Sequence, residues 1–272
     1  AKLVSLMYHD VLRGDDHRES GFESDGAALY KVSMVDFRRH LQALWDTGRQ
    51  APREIRGARG ASFTHAPRST RRGSAFALTF DDGGKSAITV IAPLLESLGW
   101  RGHFFVATDM IGQPTFLSAD EVLELHRRGH VIGSHSASHP ERMSTLAPLE
   151  QYEEWRRSLT ALNKILGAGV RVASVPNGFY SVDVARAAAA AGVRVLFTSE
   201  PTVRAAKIDG CLVLGRYSVQ ARTSEAAAAA LLGRSPVDRL KQTYSWKVKK
   251  MAKSVAGESY LAVRARLLRR GT

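Results

Sequence analysis

Leu78-Thr79-Phe80-Asp81-Asp82-Gly83-Gly84 closes an apolar run that opens at Phe76. The run has the aromatic and apolar content of a buried strand, then stops on two carboxylates and two glycines. Asp81 and Asp82 therefore fall at a strand's C-terminal end, the rim where α/β folds bind ligands. Adjacent Asp side chains there repel one another unless a cation or a proton separates their roles. The same heptad is also compatible with a polar turn, since Asp-Gly is ordinary turn chemistry. It is not a phosphate loop, because the leading glycine of GxxxxGK would fall at position 79, which is Thr.

Outward from this stretch, apolar runs alternate with helical patterns along the chain. Strands are expected at 3–9, 76–81, 102–108, 130–135, 170–176, 193–199 and 212–219. Helices are expected at 33–47, 86–98, 118–128, 148–166, 182–191 and 224–232. Ser33 with Asp36 and Ser118 with Glu121 mark N-termini, and Gly99, Gly129, Gly167 and Gly192 mark C-termini. Pro93 implies a kink or a late start in the second helix. Strands alternating with helices predict an α/β fold: a distorted barrel of about seven parallel strands wrapped by helices.

The 272 residues, 44% of them hydrophobic, suffice for one core. The expected division is a barrel over 1–233, interrupted by a basic loop at 49–73, and a basic amphipathic tail over 234–272. Net charge is +13. Residues 234–270 carry +9 of it and residues 49–72 carry +6, so the rest of the chain is close to neutral. No recognition motif accompanies the charge, so no nucleic-acid partner is expected. The mixture of aromatic, aliphatic and basic residues over 240–270 suggests peripheral contact with an anionic membrane; a solvated helix packed on the barrel is the alternative.

A single cysteine, Cys211, excludes an internal disulfide and a thiolate metal cage. No apolar run approaches the roughly 18 residues of a membrane span. Cytoplasmic or membrane-peripheral residence is the expectation, with export by a leader preceding residue 1 as the alternative.

After the fourth expected strand comes Ser134-His135-Ser136-Ala137-Ser138-His139-Pro140. Two His four positions apart can aim at one point, although such pairs also occur in structural polar clusters. In the expected barrel both stretches end at the same rim. Asp82, His135 and His139 can then hold a catalytic metal, leaving Asp81 as a free carboxylate in reach as general base.

At these residues the sequence resembles the polysaccharide deacetylases, the NodB-homology group or carbohydrate esterase family four. Thr79-Phe80-Asp81-Asp82-Gly83 is similar to the family's first motif and His135-Ser136-Ala137-Ser138-His139 to its second. The likeness runs from about residue 3 to 219. It implies a NodB-like barrel that removes acetyl groups from an acetylated glycan, with Asp81 as base and Asp82, His135 and His139 around zinc, or else cobalt or nickel.

Two departures stand out. The third family motif, RxPYG, reads Ser174-Val175-Pro176-Asn177-Gly178, so the arginine that orients the base is replaced by Ser174. The late leucine motif, Leu212-Val213-Leu214-Gly215-Arg216-Tyr217, lacks the usual histidine acid. His9, after the first strand, resembles the substitute acid of the branch related to poly-N-acetylglucosamine deacetylases. The resemblance further assigns the Asn177 backbone N–H to the oxyanion, and Tyr180 is a candidate for lining the sugar site. A deacetylase acting on an N-acetylated or O-acetylated polysaccharide is thus the expectation. The alternatives are an amidohydrolase of the same fold acting on a non-sugar amide, and an inactive carbohydrate- or membrane-binding homologue.

Overall fold

Strand parity decides which side chains enter the interior. The structure, a computed structural model, describes residues 3–14, 16–49, 51–57, 75–233 and 237–247. Its strands are β1 (Leu3–Tyr8), β2 (Val11–Leu12), β3 (Val32–Ser33), β4 (Ala75–Phe80), β5 (His103–Val106), β6 (Val131–Ser134), β7 (Val172–Ser174), β8 (Val195–Phe197), β9 (Ala206–Ile208), β10 (Cys211–Leu214) and β11 (Tyr217–Ser218). The helices are α1 (Asp25–Ala28), α2 (Met34–Asp46), α3 (Ala92–Ser97), α4 (Ala119–Arg127), α5 (Pro148–Leu166), α6 (Val182–Ala191), α7 (Glu225–Leu232) and α8, residues 237–247.

The main sheet runs β11-β1-β4-β5-β6-β7-β8-β10-β9, and every pairing in it is parallel except β10 with β9. Its two ends are joined through one stretch of chain. Leu212–Leu214 pairs with Val195–Phe197 of β8, and after Gly215-Arg216 the chain pairs Tyr217 and Ser218 with Leu6 and Met7 of β1. The expected seventh strand is therefore split in two, and its break forms the seam of the barrel.

Two apolar clusters follow from the alternation. Leu3, Ala77, Phe105, Val131, Val172, Val195, Phe197 and Leu214 fill the interior with Ile55, while the alternate residues Phe76, Leu78, Phe80, Phe104, Ile132 and Leu196 pack toward the helices. On the helix side Tyr8, Phe80 and Phe104 stack in series, with centroids 5.6 and 5.1 Å apart. Gly133 is required where it stands, because a Cβ there would meet the Phe105 ring at 2.5 Å and the Val172 carbonyl at 2.8 Å. Interior His103 accepts from the Ile55 N–H at 2.9 Å through Nε2 and contacts the Leu78 carbonyl at 3.2 Å through Nδ1. Burial pushes its pKa down to about 4, so it is neutral.

The expected caps are present. Ser118 and Glu121 form a reciprocal capping box, Ser33 accepts from the Asp36 N–H, and the four marker glycines all have positive φ. Residues 87–91 form a wider π-type turn before α3 begins, with Pro93 in its first turn. Proline has no N–H for the Thr89 carbonyl, which accepts instead from Arg13 at 2.6 Å. The β2–β3 ladder, β9 and α1 were not expected from sequence. Each is two to four residues long, too short for a periodic pattern to register.

Buried Cys211 opens β10 as a small hydrophobe, its thiol pushed up to about 12 by burial. No described helix is long and apolar enough to cross a membrane. Of the basic loop, residues 50 and 58–73 lie outside the described residues, as do 234–236 and 248–272 of the tail.

Candidate active site

The parity that puts Ala77 and Thr79 inside the barrel also puts Asp81 there, two residues further on. Likewise Val131 and Gly133 lead to His135, and Val172 leads to Ser174. Three polar side chains thus meet at the C-terminal rim because each continues an inward-facing strand row. Asp82 then leaves the strand with φ +75°, which turns its carboxylate away from the row of Asp81. Ser136, His139 and Asn177 also have φ between +54° and +66°. Left-handed backbone is costly for residues with a Cβ, and its concentration at this rim marks a functional site.

The expected metal set is assembled. His135 Nε2 lies 3.3 Å and His139 Nε2 3.4 Å from the same oxygen, Asp82 Oδ1. Among the described residues these three are the one group whose donor atoms, all within 4.8 Å of one another, could hold a metal ion. Glu154 of α5 fixes the turn between the two histidines, accepting from the N–H groups of Ala137 (3.0 Å) and Ser138 (2.8 Å) and from the Ser138 hydroxyl. Burial alone would raise the Asp82 pKa, but hydrogen bonds from both histidines hold it well below the usual carboxylate range. Burial alone would lower that of His135, yet Asp81 and Asp82 outweigh it and hold it above normal.

Ser174 sets the tautomer of His135. Its hydroxyl donates to Asp81 Oδ1 at 3.2 Å and lies 2.6 Å from His135 Nδ1. A carboxylate only accepts, so the single serine proton goes to Asp81 and a neutral His135 carries its proton on Nδ1. The Nε2 lone pair is then left facing Asp82 and His139, as a metal ligand requires. Donor type, spacing and tautomer all fit a divalent ion.

The arginine that Ser174 replaces in the third motif has a counterpart elsewhere in the fold. Arg216, at the seam between β10 and β11, is fully buried and grips Asp81 with two bonds, Nη1 to Oδ1 at 2.7 Å and Nη2 to Oδ2 at 2.8 Å. Its Nε donates to the Thr198 carbonyl, and its guanidinium lies over the Phe105 and Phe197 rings. Burial alone would raise the Asp81 pKa; Arg216, followed by His135, outweighs it and keeps the carboxyl below normal. The late motif, read only for its missing histidine, contains this arginine, but nothing local in the motif marks it as the partner of Asp81.

His9 follows β1, and the charges of Asp82 and Asp81 act on it. Its ring packs on Tyr30 with centroids 4.6 Å apart, and its buried Nδ1 has no partner. Burial lowers its pKa more than the two carboxylates restore it. Phe22, between β2 and α1, covers His139 at 4.6 Å; no sequence pattern singled it out. Asn177 occupies the turn after β7 and donates its side chain to the Pro140 carbonyl at 3.3 Å. Tyr180 is partly buried against the apolar core, with no described contact to the Asp82–His135–His139 set.

A family profile for polysaccharide deacetylase matches residues 68–196. The Bacillus subtilis (strain 168) protein YxkH, whose name places it among such enzymes, is 26% identical over 234 residues, 85% of this chain and 76% of that one. The structure of the Streptococcus pyogenes deacetylase PplD in complex with acetate superposes with a TM-score of 0.70 at 21% identity, covering 86% of this chain and 99% of the other. That of IcaB from Ammonifex degensii gives 0.63 at 23% identity over 85% and 97%. These structures share the curled, mostly parallel sheet with its helices.

Proposed function

Because this chain carries a polysaccharide deacetylase domain of the NodB-homology type, we propose that it is a metal-dependent hydrolase removing acetyl groups from an N-acetylated polysaccharide. The observation that carries this reading is the division of labour between neighbouring carboxylates. Asp82 faces two imidazoles, while Asp81 next to it is held ionised by the two-bond grip of Arg216.

Asp82, His135 and His139 would hold the ion, with zinc the best fit to one carboxylate and two imidazoles. Bound there, a divalent ion would supply Lewis acidity, lowering the pKa of water toward neutrality and polarising the acetyl carbonyl. Asp81 takes a proton from the attacking water, its oxygens aimed by the guanidinium and the Ser174 hydroxyl. The Asn177 backbone N–H serves the oxyanion. His9 gives a proton to the departing amine, which is a poor leaving group without it. Tyr180 is assigned to the sugar-facing wall beyond this centre.

The support is the joint presence of a metal-capable triad, an ionised free base and the family match. The test is metal content together with acetate release from acetylated chito-oligosaccharides. Bound metal with acetate release is the expected result. Metal with turnover only of non-sugar amides would shift the reading to an amidohydrolase, and absence of both would leave a binding protein. Asp81→Asn is expected to keep the metal and abolish release; retained turnover would remove Asp81 from the role of base.

A further inference from the structure

Helix α8 is amphipathic in the inverse sense to a packed surface helix. Its barrel-facing side, where half-buried Trp246 also falls, is held by polar side chains. Arg239 Nη1 donates to the Leu231 and Gly233 carbonyls at the end of α7, both at 2.8 Å. Gln242 pairs with the backbone of Ser218 twice, accepting from its N–H and donating to its carbonyl, both at 2.9 Å. The Thr243 hydroxyl donates to the Pro201 carbonyl. Gln242 thereby satisfies the outer side of β11 as a neighbouring strand would.

The opposite side carries the apolar residues. Leu240 is 60% exposed, Tyr244 73% and Val237 49%. At 100° per residue these three lie within about 60° of one another, with Lys241 on one flank and Lys247 on the other. An aliphatic and aromatic ridge between lysines, on a helix tied to the protein by its polar side, is the pattern of a helix lying in a membrane interface. The ridge asks for hydrocarbon, which an anionic polysaccharide or nucleic acid does not offer. The lysines, with the +9 carried by residues 234–270, ask for negative headgroups.

We propose that α8 is a membrane-docking surface that seats Leu240 and Tyr244 in the headgroup region of an anionic bilayer. The tyrosine ring suits that depth, with an apolar body and a polar tip. Polar anchoring to β11 and α7 holds the ridge outward before any lipid is met, so docking needs no rearrangement of the barrel.

The test is co-sedimentation of the full chain and of its Leu240→Ser/Tyr244→Ser variant with vesicles of phosphatidylcholine alone or with phosphatidylglycerol, at low and high salt. The wild type is expected to pellet with phosphatidylglycerol vesicles, less so as salt rises, and the variant to bind them about tenfold or more weakly. Both substitutions are exposed, and unchanged circular dichroism and acetate release would show an intact barrel. Equal binding by variant and wild type would overturn the proposal, since the charge of 248–272 would then suffice. So would a vesicle-free light-scattering mass of a dimer that the variant reduces to a monomer, because a second copy would then cover the ridge.

Discussion

Arg216 and Asp81, 135 positions apart in sequence, form a two-bond ion pair inside the barrel at 2.7 and 2.8 Å. A buried pair of this kind contributes little net stability while intact, but breaking it leaves one charge stranded. Arg216→Met is therefore expected to destabilise the fold by about 3–5 kcal/mol and to raise the Asp81 pKa. The acid limb of the pH–rate profile should move up in pH in whatever fraction folds. Arg216→Lys keeps the charge but loses the fork, so kcat should fall with a smaller shift of that limb. A profile unchanged in both variants would detach Arg216 from the base.

His135 competes between metal and proton. Burial would lower its pKa, but Asp81 and Asp82 hold it above the ordinary value. A metal ligand must be unprotonated, so apparent metal affinity is expected to rise with pH until His135 is deprotonated in the ion-free protein. Ser174→Ala removes the hydroxyl beside His135 Nδ1 but leaves the Ser174 carbonyl, 3.1 Å from the same nitrogen, so metal binding should weaken by no more than about 10-fold. Competition titration with a chromophoric chelator across pH measures both effects.

His9 gives the opposite limb of activity. Its pKa is lowered by burial, and an acid acts only while protonated, so kcat/KM should decline as pH rises through a value below 6.5. His9→Gln should cost about 10²–10⁴-fold in kcat and remove that decline. A descending limb that survives the substitution would assign it to another group.

Stability has its own pH dependence through His103. Its folded pKa near 4 lies below the ordinary 6.5, so the unfolded chain binds the proton more readily. The resulting stability is complete above about pH 6.5 and is lost as pH falls toward 4, up to about 3 kcal/mol. Urea melts between pH 7 and 4 should show this slope, and His103→Gln should flatten it.

The barrel was legible because its strands are continuous apolar runs and its helices carry ordinary caps. The triad of Asp82, His135 and His139 was legible because Asp82 and His135 come just after such runs and His139 stands four positions beyond His135. Arg216 was not, since its role depends on the chain returning from β10 to β1, and closure of a sheet leaves no local pattern. The role of Ser174 was hidden for a related reason. It stands where a guanidinium was expected, and only the interior shows a hydroxyl bridging base and ligand while the charge arrives from across the barrel. α8 was anticipated as amphipathic, but which side faced inward rested on Gln242 finding the Ser218 backbone, a pairing no periodicity encodes.

The break at Gly215-Arg216 ties competence to completion. A nascent chain emerging from the ribosome has both histidines and both aspartates well before residue 216, and could capture an ion while its base still swings unrestrained. Only when the closing stitch links β11 to β1 does the guanidinium reach its carboxylate, so the last piece of the rim to be fixed is the one that orients Asp81.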